Sequence, residues 1–216
     1  MKTFDEHESE VRGYVRSFPK VFDRAKGSLI FDEEGNRFID FFAGAGALNY
    51  GHNDDDINKA LVEYIQHEGI QHGLDKATVA KREFIDTLYS NVLEPRGLGD
   101  YKIQFTGPTG TNAVEAALKV ARKAKNRSNV ISFTNGFHGL SMGSLSITAN
   151  SVYHDPAYPQ FSHVTQAPFD QYLGEDYDTI DYLRRLLEDK SSGMQLPAAV
   201  ILETVQAEGG INVASP

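Results

Sequence analysis

Phe105-Thr106-Gly107-Pro108-Thr109-Gly110-Thr111-Asn112-Ala113-Val114-Glu115-Ala116-Ala117-Leu118-Lys119 is the stretch that decides the fold of this chain. Residues 101–105 read as a short strand, and the glycines, proline and threonines that follow have loop chemistry. A helix is predicted to start at once, with Asn112 as its N-cap and Glu115 returning to the cap. Ala113, Ala116, Ala117, Val120, Ala121 and Ala124 recur at helical spacing and predict a face of small side chains lying close on a sheet. A strand, a glycine-rich turn and a capped helix leave free N–H groups and a positive dipole end at one point, where an anion fits. Thr109 and Thr111 add hydroxyls there. The turn alone supports two readings equally, an ordinary βα connection or a phosphate seat. Neither nucleotide fingerprint is present: no Lys-Ser or Lys-Thr pair follows Gly110, and the Gly-x-Gly-x-x-Gly spacing is absent.

Outward from that stretch the chain alternates strand and helix. The basic last turns of the helix end near Asn126. A strand at 130–133 leads into the loop Asn135-Gly136-Phe137-His138-Gly139. A short helix at 141–147 is followed by a loop-rich region at 150–172 and a helix marked by Ile180, Leu183, Leu186 and Leu187. Ala198-Ala199-Val200-Ile201-Leu202 reads as a strand buried on both faces. Upstream, residues 5–20 form a short helix or an extended arm. The runs 28–31 and 37–41 flank Asp32-Glu33-Glu34-Gly35-Asn36 as a hairpin. The glycine-rich loop 43–47 follows a tight backbone path. Asn53 is expected to cap a helix whose buried stripe is Ile57, Ala60, Leu61, Tyr64 and Ile65, with Gly69 as its C-cap. A second helix runs over 76–93 and stops at Pro95. The pattern predicts an α/β domain with a mainly parallel sheet and flanking helices, preceded by a small N-terminal α+β region. Ligands of such sheets sit beyond the carboxyl ends of the strands. Three such ends, at 106–112, 134–139 and 203–210, carry the chemistry-bearing residues.

Composition narrows the function. A formal charge of −9 without a basic cluster argues against a nucleic-acid partner. The chain has no cysteine, so disulfides, thiolate metal sites and a thiol nucleophile are excluded, in keeping with a cytoplasmic protein. The histidines show no helix-spaced metal pair, and no metal site is expected. No apolar run is long enough to span a bilayer and the N-terminus lacks a signal-peptide pattern, so no membrane partner is expected.

Taken together, the three strand-end segments resemble the class III pyridoxal-phosphate aminotransferases of fold type I. Residues 109–119 resemble that family's phosphate-binding Ser-Gly-x-x-Ala-x-Glu-Ala-Ala-x-Lys segment, Gly136-Phe137-His138-Gly139 its Phe-His-Gly loop, and 203–210 its Glu-Pro-(Ile/Val)-Gln-Gly-Glu-Gly-Gly segment. The hairpin with Asp32, Gly35 and Asp40, then Gly51-His52-Asn53, fits its N-terminal region. The resemblance implies that 1–72 contribute to a small domain and a link, and that 73–216 form the first part of an incomplete large pyridoxal-phosphate domain. The backbone N–H groups of Gly110 and Thr111, with the Thr111 hydroxyl, would hold the cofactor phosphate. Phe137 would lie on its ring, His138 beside it, and Glu203 and Gln206 at its phenolic edge. For His138 a loop histidine bonded only to backbone stays open. Glu208 is the implied substrate residue: in the family it pairs with an arginine and withdraws when a dicarboxylate needs that arginine. A surface glutamate is its alternative. The family's lysine that binds the cofactor covalently, and its ring-nitrogen aspartate, are expected beyond Pro216, so no catalytic residue is assigned here.

Thr204, Ala207, and Asn112 with Val114 depart from the general family pattern. They resemble a subgroup that moves an amino group between L-glutamate and L-aspartate 4-semialdehyde, at the opening of ectoine synthesis. Small amino acids and oxo acids are then the partners, and a homodimer the expected assembly. Two alternatives remain: another ω-aminotransferase acting on ornithine, 4-aminobutyrate or a siderophore precursor, or a non-catalytic fragment.

Overall fold

A computed structural model of the chain describes residues 1–11, 18, 20–158 and 163–215. Parts of the expected arm (12–17 and 19) and of the loop-rich stretch (159–162) lie outside the described residues. The chain forms two compact units, residues 1–99 and 100–216, which divide downstream of the boundary at 72 drawn from the sequence.

The first unit begins with helix α1 (Lys2–His7) and an antiparallel sheet of β1 (Phe22–Lys26), β2 (Leu29–Asp32) and β3 (Arg37–Ile39). β2 and β3 are the expected hairpin, and β1 adds a third strand. Asp32 is buried in the turn between β2 and β3, where it accepts hydrogen bonds from the backbone of Glu34 and Asn36 and from the Asn36 side chain. Past β3, Asp40 Oδ1 accepts from the N–H groups of Phe42 and Ala43, and Asp40 Oδ2 lies 2.6 Å from His52 Nε2. The His52 contact, with the backbone bonds, holds the Asp40 carboxyl below the usual carboxylate range. Helix α2 (Asp55–Gln66) is capped by Asp54 rather than Asn53. The Asp54 carboxylate accepts from the N–H groups of Asp56 and Ile57, while Asn53 takes a left-handed φ of 51°. The expected buried stripe of α2 is open: Ile57, Leu61 and Ile65 are more than half exposed. Helix α3 (Val79–Leu88) is shorter than the 76–93 predicted, because its end widens into a π turn at Tyr89–Leu93.

The second unit carries the parallel sheet. Helix α4 (Gly110–Lys125) leads to β4 (Val130–Phe133), then come α5 (Met142–Ile147), β5 (Val164–Ala167), α6 (Thr179–Glu188) and β6 (Ala199–Val200). The strand order β5-β4-β6 is parallel throughout, with β4 central and buried along its whole length. Alternation along β4 sends Ile131 and Phe133 to one face, against Ala167, Phe169 and Leu183 of α6. The opposite face carries Val130, packed with Leu118 of α4 and Ile147 of α5. A last hairpin, β7 (Val205–Gln206) and β8 (Asn212–Val213), turns through Glu208-Gly209-Gly210.

Several local expectations are corrected. Among the described residues no strand forms at 101–105. The N-cap of α4 is Thr109, whose hydroxyl accepts from Asn112 N at 3.3 Å. Glu115 therefore lies too far along the helix to close a capping box, and its carboxylate crosses to α5. The alanine face of α4 is largely uncovered, since the helix turns Val114 and Leu118 to the core and leaves Ala113, Ala117, Val120 and Ala124 exposed. β6 is shorter than expected and only one face is covered; Val200 and Leu202 are about half exposed. β5 lies within the stretch expected to be loop.

Candidate active site

β4 is the strand from which the chain goes first to one side (β5) and then to the other (β6), so the crevice beyond its carboxyl end is the topological switch point of the sheet. Thr134 occupies that end. Its N–H donates to Ala167 O of β5, its hydroxyl accepts from Phe169 N, and its carbonyl accepts from Gln206 Nε2 at 2.8 Å. The loop that follows is thereby launched from a fixed point.

The loop 134–141 joins the other two segments. Phe137 N donates to Glu203 Oε1 at 2.8 Å. On the other side Gly139 sits at φ +119°, with its Cα so near Thr111 that a Cβ would fall 2.5 Å from Thr111 Oγ1. Gly209 of the β7–β8 turn packs as closely, since a Cβ there would lie 2.2 Å from Asn135 O. Glycine is required at both contacts by close approach. The three strand ends singled out from the sequence therefore meet at one loop.

At the α4 end, Gly110 and Thr111 are the first helical residues, whose N–H groups have no intrahelical acceptor. Open space surrounds the position a Gly110 Cβ would take. The Thr111 hydroxyl is turned inward, 2.6 Å from Ser141 Oγ and 2.8 Å from Ser144 Oγ. Glu115 Oε1 closes this network. It accepts from Ser141 Oγ at 2.5 Å, Gly143 N at 2.7 Å and Ser144 N at 3.1 Å, and so caps α5 from α4. Burial pushes the Glu115 carboxyl up, but the Ser141 hydroxyl and the Ser144 and Gly143 N–H groups outweigh it and hold the group below its ordinary value. Nothing in the sequence spacing marks this network.

His138 is buried. Its backbone N–H donates to Thr148 Oγ1 at 3.0 Å, and Nε2 has no hydrogen-bond partner among the described residues. Burial lowers its pKa against the opposing charge of Glu203, which favours the neutral imidazole. A buried ring nitrogen left open in this way fits a ligand that brings its own polar edge. Gln206, 1% exposed, is engaged at both ends of its amide: Nε2 with Thr134 O, and Oε1 with Asn212 Nδ2 at 3.1 Å. Glu208 lies in the β7–β8 turn, where its Oε1 accepts from the Tyr153 hydroxyl at 2.9 Å. Tyr153 is a residue that the sequence did not single out, because it sits in a stretch without periodicity. Phe137, Glu208 and Gly209 line a cavity of about 370 Å³. Open helix-terminal N–H groups suit an anion and an aromatic face suits a flat ring; of Gly110, Thr111, Phe137 and His138, Phe137 alone lines this cavity.

The profile of the class III aminotransferases matches residues 12–216. The chain is 60% identical over 214 residues to the diaminobutyrate–2-oxoglutarate transaminase of Wolinella succinogenes, covering 99% of this chain and 50% of that protein. It is 58% identical over 215 residues to the enzyme of the same name from Bordetella parapertussis, covering 100% of this chain and 49% of the other. A solved amine transaminase from an uncultivated Pseudomonas species, in its PLP-bound form, superposes with a TM-score of 0.70 at 25% identity, covering 97% of this chain and 49% of its own. The chain spans about half the length of the curated relatives it matches.

Proposed function

This chain belongs to the class III aminotransferases, and from that membership we propose that the whole protein is a pyridoxal-phosphate aminotransferase working between an ω-amine and 2-oxoglutarate. The specific reaction proposed exchanges an amino group between L-glutamate and L-aspartate 4-semialdehyde, giving L-2,4-diaminobutyrate and 2-oxoglutarate, at the opening of ectoine synthesis. Relatives more than half identical over almost the whole chain, named for that pair of substrates, support it. The observation that carries it is the loop 134–141, which touches the first turn of α4 through Gly139 and Glu203 through Phe137 N.

In this reading the N–H groups of Gly110 and Thr111 bind the phosphate at the dipole end of α4. The Thr111 hydroxyl holds the floor of that seat through Ser141 and Ser144. Phe137 offers its ring face, and His138 Nε2 offers a neutral hydrogen-bonding nitrogen. Glu203 fixes Phe137, and Gln206 braces the end of β4 from behind. Glu208 faces the distal end of the substrate. Pyridoxal phosphate supplies an electron sink conjugated to the amine nitrogen, which allows the neighbouring C–H bond to break. The lysine that holds the cofactor covalently is assigned to the part of the relatives' length that this chain does not span. These 216 residues alone are then expected to give no turnover, and the whole protein to work as a homodimer.

The test is the initial rate of the whole protein with 2-oxoglutarate and each of L-2,4-diaminobutyrate, ornithine and 4-aminobutyrate. Preference for diaminobutyrate supports the reading, and preference for either other donor replaces it with a different ω-aminotransferase. Turnover by the 216-residue chain would overturn the assignment of the lysine.

A further inference from the structure

We propose that Asn135 is a self-modification site, at which the Gly136 backbone nitrogen attacks the Asn135 side-chain amide and converts it, through a cyclic imide, to isoaspartate and aspartate. Asn135-Gly136 is the one Asn-Gly pair in the sequence. In the reaction the Gly136 nitrogen bonds to Asn135 Cγ, and its proton leaves with the amide nitrogen as ammonia. Water then opens the imide at either of its carbonyls, so no oxidant or reductant is needed. Asparagine is chemically labile, and a glycine after it has no Cβ to hinder the approach. Asn135 itself is exposed, at a left-handed φ of 62°, and its amide makes no hydrogen bond among the described residues. By contrast, Asn129 and Asn212 donate their amides to Gln195 O and Gln206 Oε1, and Asn150 accepts from Val152 N. Only water and this turn take part, so the modification does not depend on the aminotransferase reading.

The fold both gates the reaction and magnifies its product. Gly136 N donates to Phe133 O at 3.1 Å, so the nitrogen is free to attack only when this turn opens. Asn135 and Gly136 also lie between fixed points. Upstream, Thr134 is held through its carbonyl by Gln206 Nε2 and through its hydroxyl by Phe169 N. Downstream, Ala149 N donates to Gly136 O at 2.8 Å, and Phe137 N is tied to Glu203. Isoaspartate routes the main chain through the former side chain and lengthens it by one carbon between these anchors. The former Asn135 carbonyl becomes a carboxylate at the point where Gly209 packs so closely that a Cβ would fall 2.2 Å from Asn135 O. The turn has no room for either change. Gly136 therefore loses its bonds to Phe133 and Ala149, and Phe137 leaves its place on the cavity wall. Aspartate at 135 keeps the main-chain length and spares these bonds. Ageing of one residue thus loosens the loop that joins the three segments.

The experiment ages the whole protein in mildly alkaline H₂¹⁸O, with and without urea, as wild type, Asn135→Gln and Asn135→Asp. Peptide mass spectrometry with electron-transfer fragmentation locates each converted asparagine and tells isoaspartate from aspartate. Pyridoxal phosphate affinity and the urea midpoint are measured on fresh samples and on chromatographically separated aged ones. Wild type is expected to take up ¹⁸O at residue 135 ahead of every other asparagine, more slowly folded than in urea, with isoaspartate among the products. The isoaspartate form should bind pyridoxal phosphate about tenfold more weakly than fresh protein, the equivalent of two ordinary hydrogen bonds, and unfold at lower urea. Asn135→Gln, whose longer side chain closes an imide far more slowly, should keep its own fresh affinity and midpoint through the same ageing. Fresh Asn135→Asp, with the new charge but the old chain length, should lose less of both than the isoaspartate form. No ¹⁸O at residue 135 while a Thr-Asn-Gly-Phe peptide is converted, conversion as fast in the folded protein as in urea, or an isoaspartate form with the midpoint of fresh protein would overturn the proposal. If fresh wild type binds no pyridoxal phosphate, the aminotransferase reading fails, and the modification is judged by mass and urea midpoint alone.

Discussion

Replacing Glu115 with glutamine tests the packing of α4 against α5 on which the phosphate seat depends. One oxygen of Glu115 accepts three donors, Ser141 Oγ and the N–H groups of Gly143 and Ser144, and so satisfies the first turn of α5 from another helix. Hydrogen bonds to a carboxylate are roughly twice as strong as those to a neutral amide oxygen. Loss of an N-cap acceptor costs about 0.5–2 kcal/mol. Glutamine keeps an acceptor but loses the charge, so Glu115→Gln is expected to cost about 1–2 kcal/mol at neutral pH, after discounting for partial exposure. For a unit of this size that is a fall in Tm of about 4–12 °C. The pH dependence gives the sharper result. The folded carboxyl titrates below its unfolded value, so its contribution is complete above the unfolded pKa of about 4.3 and is lost as pH falls through the folded pKa. Urea denaturation of wild type and variant at a series of pH values should show a gap that is constant near neutrality and closes in acid. A gap that is absent at pH 7, or that persists unchanged in acid, would refute the reasoning.

Three further outcomes are expected. Gly139→Ala, at φ +119° against Thr111, should cost about 1–3 kcal/mol in denaturation and weaken pyridoxal phosphate binding by the whole protein, measured by fluorescence titration; wild-type affinity would show that the contact yields freely. Ser132→Ala removes a hydroxyl that is fully buried in β4 without a partner among the described residues, and should leave stability unchanged or raise it by about 1 kcal/mol; a clear loss in a melting curve would mean that the hydroxyl is bonded. Asp40→Asn should loosen the 43–46 turn, seen as faster amide exchange at Phe42 and Ala43. Because the folded carboxyl titrates low, the difference from wild type should be full above the unfolded pKa and vanish as pH falls through the folded one; equal protection at neutral pH would contradict the role given to Asp40.

What the sequence made legible was periodicity and punctuation. The buried run at 130–133, the Asp32–Asn36 turn and the helix at 179–188 follow from patterns short enough to be governed by neighbours in the chain. Caps slipped by one to three residues because adjacent side chains competed. Thr109 and Asn112 are both good caps, as are Asn53 and Asp54, and the backbone path chose between them. β5 was missed because Val164-Thr165-Gln166-Ala167 is a strand only through its pairing with Val130-Ile131-Ser132-Phe133. The stripe on α2 and the alanine face of α4 were read as buried from their hydrophobicity, which says that a face seeks cover but not which surface supplies it. At the site, glycine marked the close approaches. Tyr153, Ser141 and Ser144 left no trace, because their partners are far away in the chain.

The central position of β4 fixes the order in which the second unit can be made. Val130 pairs with Val164 and also with Ala199, so the middle strand leaves the ribosome well before its second neighbour has been synthesised. At about 5–20 residues per second that interval is on the order of several seconds, during which one edge of the middle strand stands open. A segment buried along its whole length in the finished unit, Val130-Ile131-Ser132-Phe133, thus waits for its second neighbour, and slower synthesis between Ala167 and Ala199 lengthens that wait.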